Sequence, residues 1–243
     1  MNISPAIIDG DSFDKDLYEA LEQAKISEPL LHSSFNAQWI GECGIDPKVI
    51  FDIGSYDAGD SIRLKHKYPE SDVYSFEADP ARITCIQKYI SKFDIEFIPT
   101  AVCETTGQTN FYQSFIDGNA LGQGSILKHT SLYKEIYSDL NIIQANHPII
   151  VPSVSVSSFC KEKGINRVDV AHIDVEGAEG YVINGFGEIR PKLLFIETVL
   201  NTGQNRGWEG QYGVESEIHS ILTGMGYVLI KDLVSDRLYL HHG

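Results

Sequence analysis

The sequence predicts an open α/β fold whose working edge lies where its strands end, and three stretches carry that expectation. Val49–Ile53 is an apolar run of strand length that breaks at Gly54 and Gly59 and passes into Asp60–Lys67, a segment able to begin a helix. Asp72–Phe76 repeats the pattern, ends at Glu77, and is followed by Pro80, which suits the first turn of a helix. Val168–Ile173 runs into Asp174, Glu176 and Glu179 where a third helix starts. Strands alternating with helices build a mostly parallel sheet, and ligands of such sheets sit beyond the carboxyl ends of the strands.

Ahead of that sheet, residues 1–48 read as a helical appendage to a main domain spanning 49–243. Asp11 or Ser12 can cap a helix carrying Phe13, Leu17, Leu21 and Ala24 at helical spacing, and Pro29 stops it. Phe35, Trp39 and Ile40 then form an aromatic patch, so the appendage either covers an open side of the sheet or supplies one wall of a pocket.

The turn after Val49–Ile53 excludes two phosphate ligands. Gly54 to Ser61 matches G-x-x-x-x-G-K-[ST] except that the lysine position holds Asp60, and Tyr56 occupies the place of the second glycine of G-x-G-x-x-G. With Asp52, Asp57 and Asp60 around it, the turn favours a ligand that lacks phosphate and carries positive charge. S-adenosylmethionine, with its sulfonium, amino group, ribose and adenine, meets that requirement. Glu77, flanked by Ala78, lies 25 positions after Asp52, near the ~20-residue offset at which an acid bonds ribose hydroxyls.

Further along, Glu96–Pro99 is a third strand, and Ala101 and its neighbours are small enough to border a flat ring such as adenine. Gly107 with Thr109–Phe115 suggests a hairpin. Asp117–Ser131, with Gly118, Gly122, Gly124 and Ser125, reads as a mobile loop suited to a lid. Ile149–Val156 is a strand and Ser157–Lys163 a short helix. Three acids within six residues, Asp174, Glu176 and Glu179, repel one another unless a cation, a donor or water intervenes, which marks a functional edge. Leu193–Glu197 is a strand that again ends in an acid. Asn201–Gly213 offers Trp208 and Tyr212 as substrate contacts, beside Ser125 and Glu197. Glu215–Met225 is an amphipathic helix, and Tyr227–Leu233 pairs with Arg237–His241 as a terminal hairpin.

A net charge of −15 without a lysine or arginine cluster excludes a nucleic-acid footprint and disfavours an anionic membrane surface. No apolar run reaches the ~20 residues of a membrane span. Asp9, Asp11, Asp14 and Asp16 stand where a signal peptide is basic and then apolar, so a cytoplasmic location is expected. Cys43, Cys85, Cys103 and Cys160 contain no C-x-x-C pair and read as reduced thiols. No metal site is assigned, although the oxygens of Asp174, Glu176 and Glu197 are of the kind a divalent cation accepts.

Asp52-Ile53-Gly54-Ser55-Tyr56, Phe76-Glu77, Val154–Phe159 and above all Ile173-Asp174-Val175-Glu176-Gly177-Ala178-Glu179 resemble the FkbM family of S-adenosylmethionine-dependent methyltransferases. The similarity runs from about Val49 to Glu197. It implies a Rossmann-like class I methyltransferase sheet of seven strands, with helices on both faces and an antiparallel C-terminal hairpin. It implies also that Gly54–Tyr56 line the methionine end of the cofactor, that Glu77 holds the ribose, and that Asp174 lies near the cofactor amino group or the substrate. Members typically methylate hydroxyls of sugars or natural products, so the expected partner is a small-molecule or glycan acceptor. Three departures concern the substrate side: Ala58 replaces a usual glycine, His172 a common lysine, and Ser157-Ser158 a leucine and an aspartate. For catalysis, His172 is the residue type able to accept a hydroxyl proton near neutrality, with Asp174 orienting it and Glu176 beside it. A non-catalytic nucleoside-binding module and a nicotinamide oxidoreductase are the competing readings, and the oligomeric state, a homodimer included, is left open.

Overall fold

The computed structural model describes residues 15–27, 30–31, 33–198, 207–212, 215–233 and 235–243. The expected cap at Asp11 or Ser12, the stop at Pro29 and the stretch 201–206 lie outside the described residues. The first half of the chain forms α1 (Lys15–Ala24), α2 (Gln38–Glu42), β1 (Val49–Ile53), α3 (Gly59–Lys67), β2 (Asp72–Phe76), α4 (Pro80–Ile86) and β3 (Ile95–Ile98). An inserted layer follows: β4 (Ala101–Val102), β5 (Gly107–Ile116), β6 (Asn119–Ser125), α5 (Ser131–Ile136), β7 (Ile143–Gln144) and β8 (Ile149–Val154). The chain then returns through α6 (Val156–Lys163), β9 (Val170–Ile173), α7 (Glu179–Asn184), β10 (Leu193–Glu197), α8 (Glu215–Gly224), β11 (Tyr227–Asp232) and β12 (Asp236–His241).

Seven strands make the main sheet in the order β11-β12-β10-β9-β1-β2-β3. β12 runs antiparallel to both of its neighbours, while the strands from β10 to β3 are parallel. Strand order reverses between β1 and β9, and a crevice at their carboxyl ends follows from that reversal. Each face is covered by helices. Phe51 and Ile53 of β1 point toward Phe159 of α6, Val182 of α7 and Leu222 of α8. Ile50 points the other way, into a cluster with Ile40 of α2 and Leu64 of α3. Full burial of one such side chain is worth about 1.5–3 kcal/mol, so both faces hold the sheet. Alternation puts Asp52 on the Ile50 side, where it is fully buried.

The expected mobile loop at 117–131 instead carries the strand β6. β6 pairs antiparallel with β5, and β5 pairs with β8, giving a second sheet in the order β4-β8-β5-β6. Two of its glycines answer to close packing: a Cβ on Gly122 would stand 3.2 Å from the Tyr56 ring, and one on Gly124 2.7 Å from Phe111. Sequence composition alone does not separate packing from mobility as a cause of glycine enrichment. No helix among the described residues is long and apolar enough to cross a membrane.

Candidate active site

A cavity of about 270 Å³ opens at the carboxyl ends of β1, β2 and β9. Its floor is the turn Gly54–Asp57, one end is Glu77 to Asp79, and the other end is Asp174 to Glu176. Leu121 to Ile126, from β6 onward, roof it. The backbone explains the floor. Gly54 has φ +86 and a Cβ there would fall 1.7 Å from the Asp174 carbonyl oxygen, so only glycine lets the two strand ends approach. Tyr56, Ala58 and Glu176 also take positive φ, which for residues with a Cβ is a local cost held by the surrounding contacts.

Glu77 is buried and accepts backbone N–H bonds from Tyr56 at 2.8 Å and Asp79 at 2.7 Å. Burial outweighs these donors and pushes its carboxyl up to about 7. Asp79 caps α4 by accepting from the Ala81 N–H at 2.9 Å. From α4, Arg82 lies over the Tyr56 ring at 4.1 Å, donates to the Tyr56 hydroxyl at 2.8 Å and reaches the Ala120 carbonyl of β6. Arg82 therefore clamps the floor to the roof, a role no spacing in the sequence announces. Ser55 Oγ is sealed from solvent and has no hydrogen-bond partner among the described residues, yet Ser55 lines the cavity. An orphaned hydroxyl at that place fits a polar ligand group.

Below the floor lies a buried charged network. His172 Nδ1 meets Asp52 Oδ1 at 2.8 Å, and Ser61 Oγ donates to Asp52 Oδ2. Asp60 pairs with Arg63 and stands 4.0 Å from His172. Burial alone would lower the His172 imidazolium, but the bond to Asp52 and the charges of Asp60, Asp52 and Asp174 outweigh it and hold the ring at about 9. Burial alone would raise Asp60, but Arg63 and His172 bring it down to about 2. Asp52 thus sits beneath the cavity, not in it, because strand alternation turns its side chain toward α3. Asp57 lines the floor but spends its oxygens on the Leu31 N–H at 2.9 Å and the Gly59 N–H at 3.0 Å, and burial raises it to about 6.

At the opposite end the carboxylates of Asp174, Glu176 and Glu197 each offer an oxygen within 4.8 Å of the others. Carboxyls this close repel one another when ionised. Burial first, and then the neighbouring acids, push Glu176 and Glu197 well above the ordinary range. Glu179 turns away from this group, accepting from the Gly177 N–H at 3.0 Å and the Val175 N–H at 3.3 Å, and burial raises it to about 7.

The structure brings together in the cavity wall Gly54, Ser55, Tyr56, Asp57, Glu77, Ala78, Ala101, Ser125, His172, Asp174 and Glu176 of the residues singled out in the sequence. It leaves out Asp52, Glu197, Trp208 and Tyr212. Trp208 is 1% exposed and packs on Gly177, where a Cβ would come within 2.3 Å of the indole, and against Tyr133 at 5.2 Å. Its size serves the fold. Tyr212 is 44% exposed and tilts against Tyr181, away from the cavity. Leu31 and Ser33 line the cavity from ahead of β1, and nothing in their residue types signals this.

The strand order, the antiparallel strand inserted next to the edge and the crevice at the switch point define a Rossmann-like methyltransferase fold. An O-methyltransferase from Bacillus cereus, solved in complex with SAH, matches it with a TM-score of 0.50 at 12% identity, over 98% of this chain and 94% of that one. The chain belongs to the FkbM methyltransferase family: residues 52–229 match the Methyltransferase FkbM domain. Among curated relatives, the 2-O-methyltransferase NoeI of Sinorhizobium fredii is 31% identical over 157 residues, which is 63% of this chain and 63% of that protein. Methyltransferase 1 of Beauveria bassiana is 23% identical over 149 residues, 59% of this chain and 60% of that protein. The chain's match thus spans a little under two thirds of the length of either relative.

Proposed function

We propose that the protein transfers a methyl group from S-adenosylmethionine to a hydroxyl of a sugar or another natural product. The observation that carries this reading is the acidic cradle at the strand ends. Its lining acids, Asp57, Glu77, Asp174 and Glu176 among them, face a cavity in which the two cationic side chains, Arg82 and His172, are already engaged by protein partners. Such a lining suits a cationic nucleoside and repels a diphosphate. The name of the relative NoeI supports O-methylation specifically.

When bound, the cofactor supplies an electrophilic methyl on a sulfonium. The chain does the rest. Glu77, held by two backbone donors, keeps lone pairs free for ribose hydroxyls. Ser55 Oγ and the Gly54–Tyr56 backbone fit the methionine end, and Ala78 and Ala101 leave a flat slot for adenine. Alignment of two bound reactants in near-attack geometry can be worth about 7–11 kcal/mol, so a site that mainly positions them already accounts for much of the rate. His172, holding its proton at neutral pH, cannot accept one from a hydroxyl. Its role in this reading is to compensate Asp52 and Asp60 beneath the turn and to favour the ionised form of Asp174 through its charge. The proton goes to the Asp174 carboxylate, which lines the cavity and whose ionised form the His172 charge favours.

Calorimetry with S-adenosylmethionine, S-adenosylhomocysteine and NAD tests the cofactor. Binding of the first two is expected, and binding of NAD alone would end this reading. Transfer of labelled methyl to a panel of sugars and hydroxylated natural products, with Asp174→Asn as the comparison, tests the chemistry. Cofactor binding without transfer to any acceptor would favour a recognition module instead.

A further inference from the structure

We propose that Leu31 and residues 33–35 act as a strap that is a working part of the donor site, so that docking of the strap and binding of the donor are one coupled equilibrium. The inference rests on the methyl-donor reading above. The strap lies outside the segment that matches the family, residues 52–229, so family membership does not imply it.

Its main anchors lie in the floor of the cavity and in the charged network beneath it. The Leu31 N–H donates to Asp57 Oδ2 at 2.9 Å and the Ser33 N–H to Asp60 Oδ2 at 2.8 Å. Arg63, paired with Asp60, donates to the Phe35 carbonyl. Beyond these, the Phe35 ring stacks on Phe195 at 4.8 Å and lies 6.2 Å from His172, and Ser34 Oγ donates to Asp236 at 2.9 Å. Contact is closest at Gly59, where a Cβ would stand 1.6 Å from the Leu31 carbonyl oxygen. The two turn acids that sequence reasoning assigns to a ligand therefore bind the protein's own backbone.

Because Leu31 and Ser33 also line the cavity, a donor seated there touches the strap in its docked position. Lifting the strap would remove those contacts and strip partners from Asp57, Asp60 and Arg63 together. A ligand that contacts one of two states shifts the balance toward it by its differential affinity, and the effect is reciprocal. The strap thereby shields the methyl-bearing end of the donor from water while the acceptor enters elsewhere.

Hydrogen exchange at the Leu31 and Ser33 amides, read in the full chain with and without S-adenosylmethionine, tests this directly. If leaving of the strap requires loss of the donor, exchange at those two amides slows by up to about 100-fold at a donor concentration one hundred times its Kd. Gly59→Ala should abolish that protection and weaken donor affinity about tenfold or more, with a cooperative melt retained. Ser33→Pro, a change confined to the strap that deletes the donor to Asp60, should weaken affinity several-fold and serves if Gly59→Ala fails to fold. Donor binding with no change in exchange at Leu31 and Ser33, or variants that lower the melting temperature while leaving donor Kd unchanged, would overturn the strap and leave the methyltransferase reading standing. Failure of both S-adenosylmethionine and S-adenosylhomocysteine to bind the wild type would overturn both.

Discussion

Two groups of acids share one sheet edge and end in opposite states. Under the turn, Asp52 and Asp60 meet His172, Arg63, Ser61 and a backbone amide, and Asp60 stays ionised down to about 2. Across the cavity, the charges acting on Glu176 and Glu197 are those of other acids, and both carboxyls are driven toward the protonated form. Residue type is nearly the same in the two places. What differs is whether a cation was brought within reach, and the difference separates a rigid foundation from a group whose protons can move.

Removing a cation from the foundation should do the most damage. Arg63→Ala deprives the buried Asp60 carboxylate of its directly paired cation and is expected to cost about 3–5 kcal/mol in urea unfolding; a loss under 1 kcal/mol would show that the two groups are not so different. His172→Gln comes next. Its folded-state value of about 9 lies above the ordinary histidine value of 6.5, so the stability it contributes is fully present below pH 6.5 and is lost as pH rises through 9. A shift of that size corresponds to about 3 kcal/mol. The gap between wild type and variant should therefore be widest at pH 6 and should close by pH 10, and nitrogen-detected NMR should find the ring protonated at pH 7.

Ser61→Ala removes one bond to a charged acceptor and should cost about 1.5–3 kcal/mol by the same unfolding assay. The smallest effect has the opposite sign. Glu197→Gln takes a crowded acid out of the other group, and a gain of up to about 1 kcal/mol is expected at pH 8. A carboxyl raised in the folded state favours folding fully at low pH and loses that contribution as pH rises through its folded value. The wild type therefore approaches the variant at pH 5, and a variant less stable at pH 8 would place an unrecognised donor on Glu197.

Much of this was legible in the chain. The strand runs at Val49–Ile53, Asp72–Phe76 and Leu193–Glu197 appear with those boundaries, because alternating burial and strand-ending acids are local signals. The glycine turn and the acids that line the cavity followed from the same signals. Other features misled. Gly122 and Gly124 read as a loop because composition does not report which backbone lies opposite. Trp208 read as a contact for substrate because an aromatic in a polar stretch looks the same whether it faces a ligand or Gly177. His172 read as a base because its ordinary pKa suits one, whereas its state depends on Asp52, 120 positions away in the chain.

By itself, the order of residues determined the α/β class, the position of the turn and the sign of charge at the strand ends, since hydrophobic period and glycine placement act over a few residues. Only the tertiary structure decided which acid is paired, which is pushed toward its protonated form, and that Leu31 and Ser33, ahead of the first strand, line the cavity. Ionisation is set by burial and by charges a few ångströms away, and those distances exist only once residues remote in sequence have been folded together.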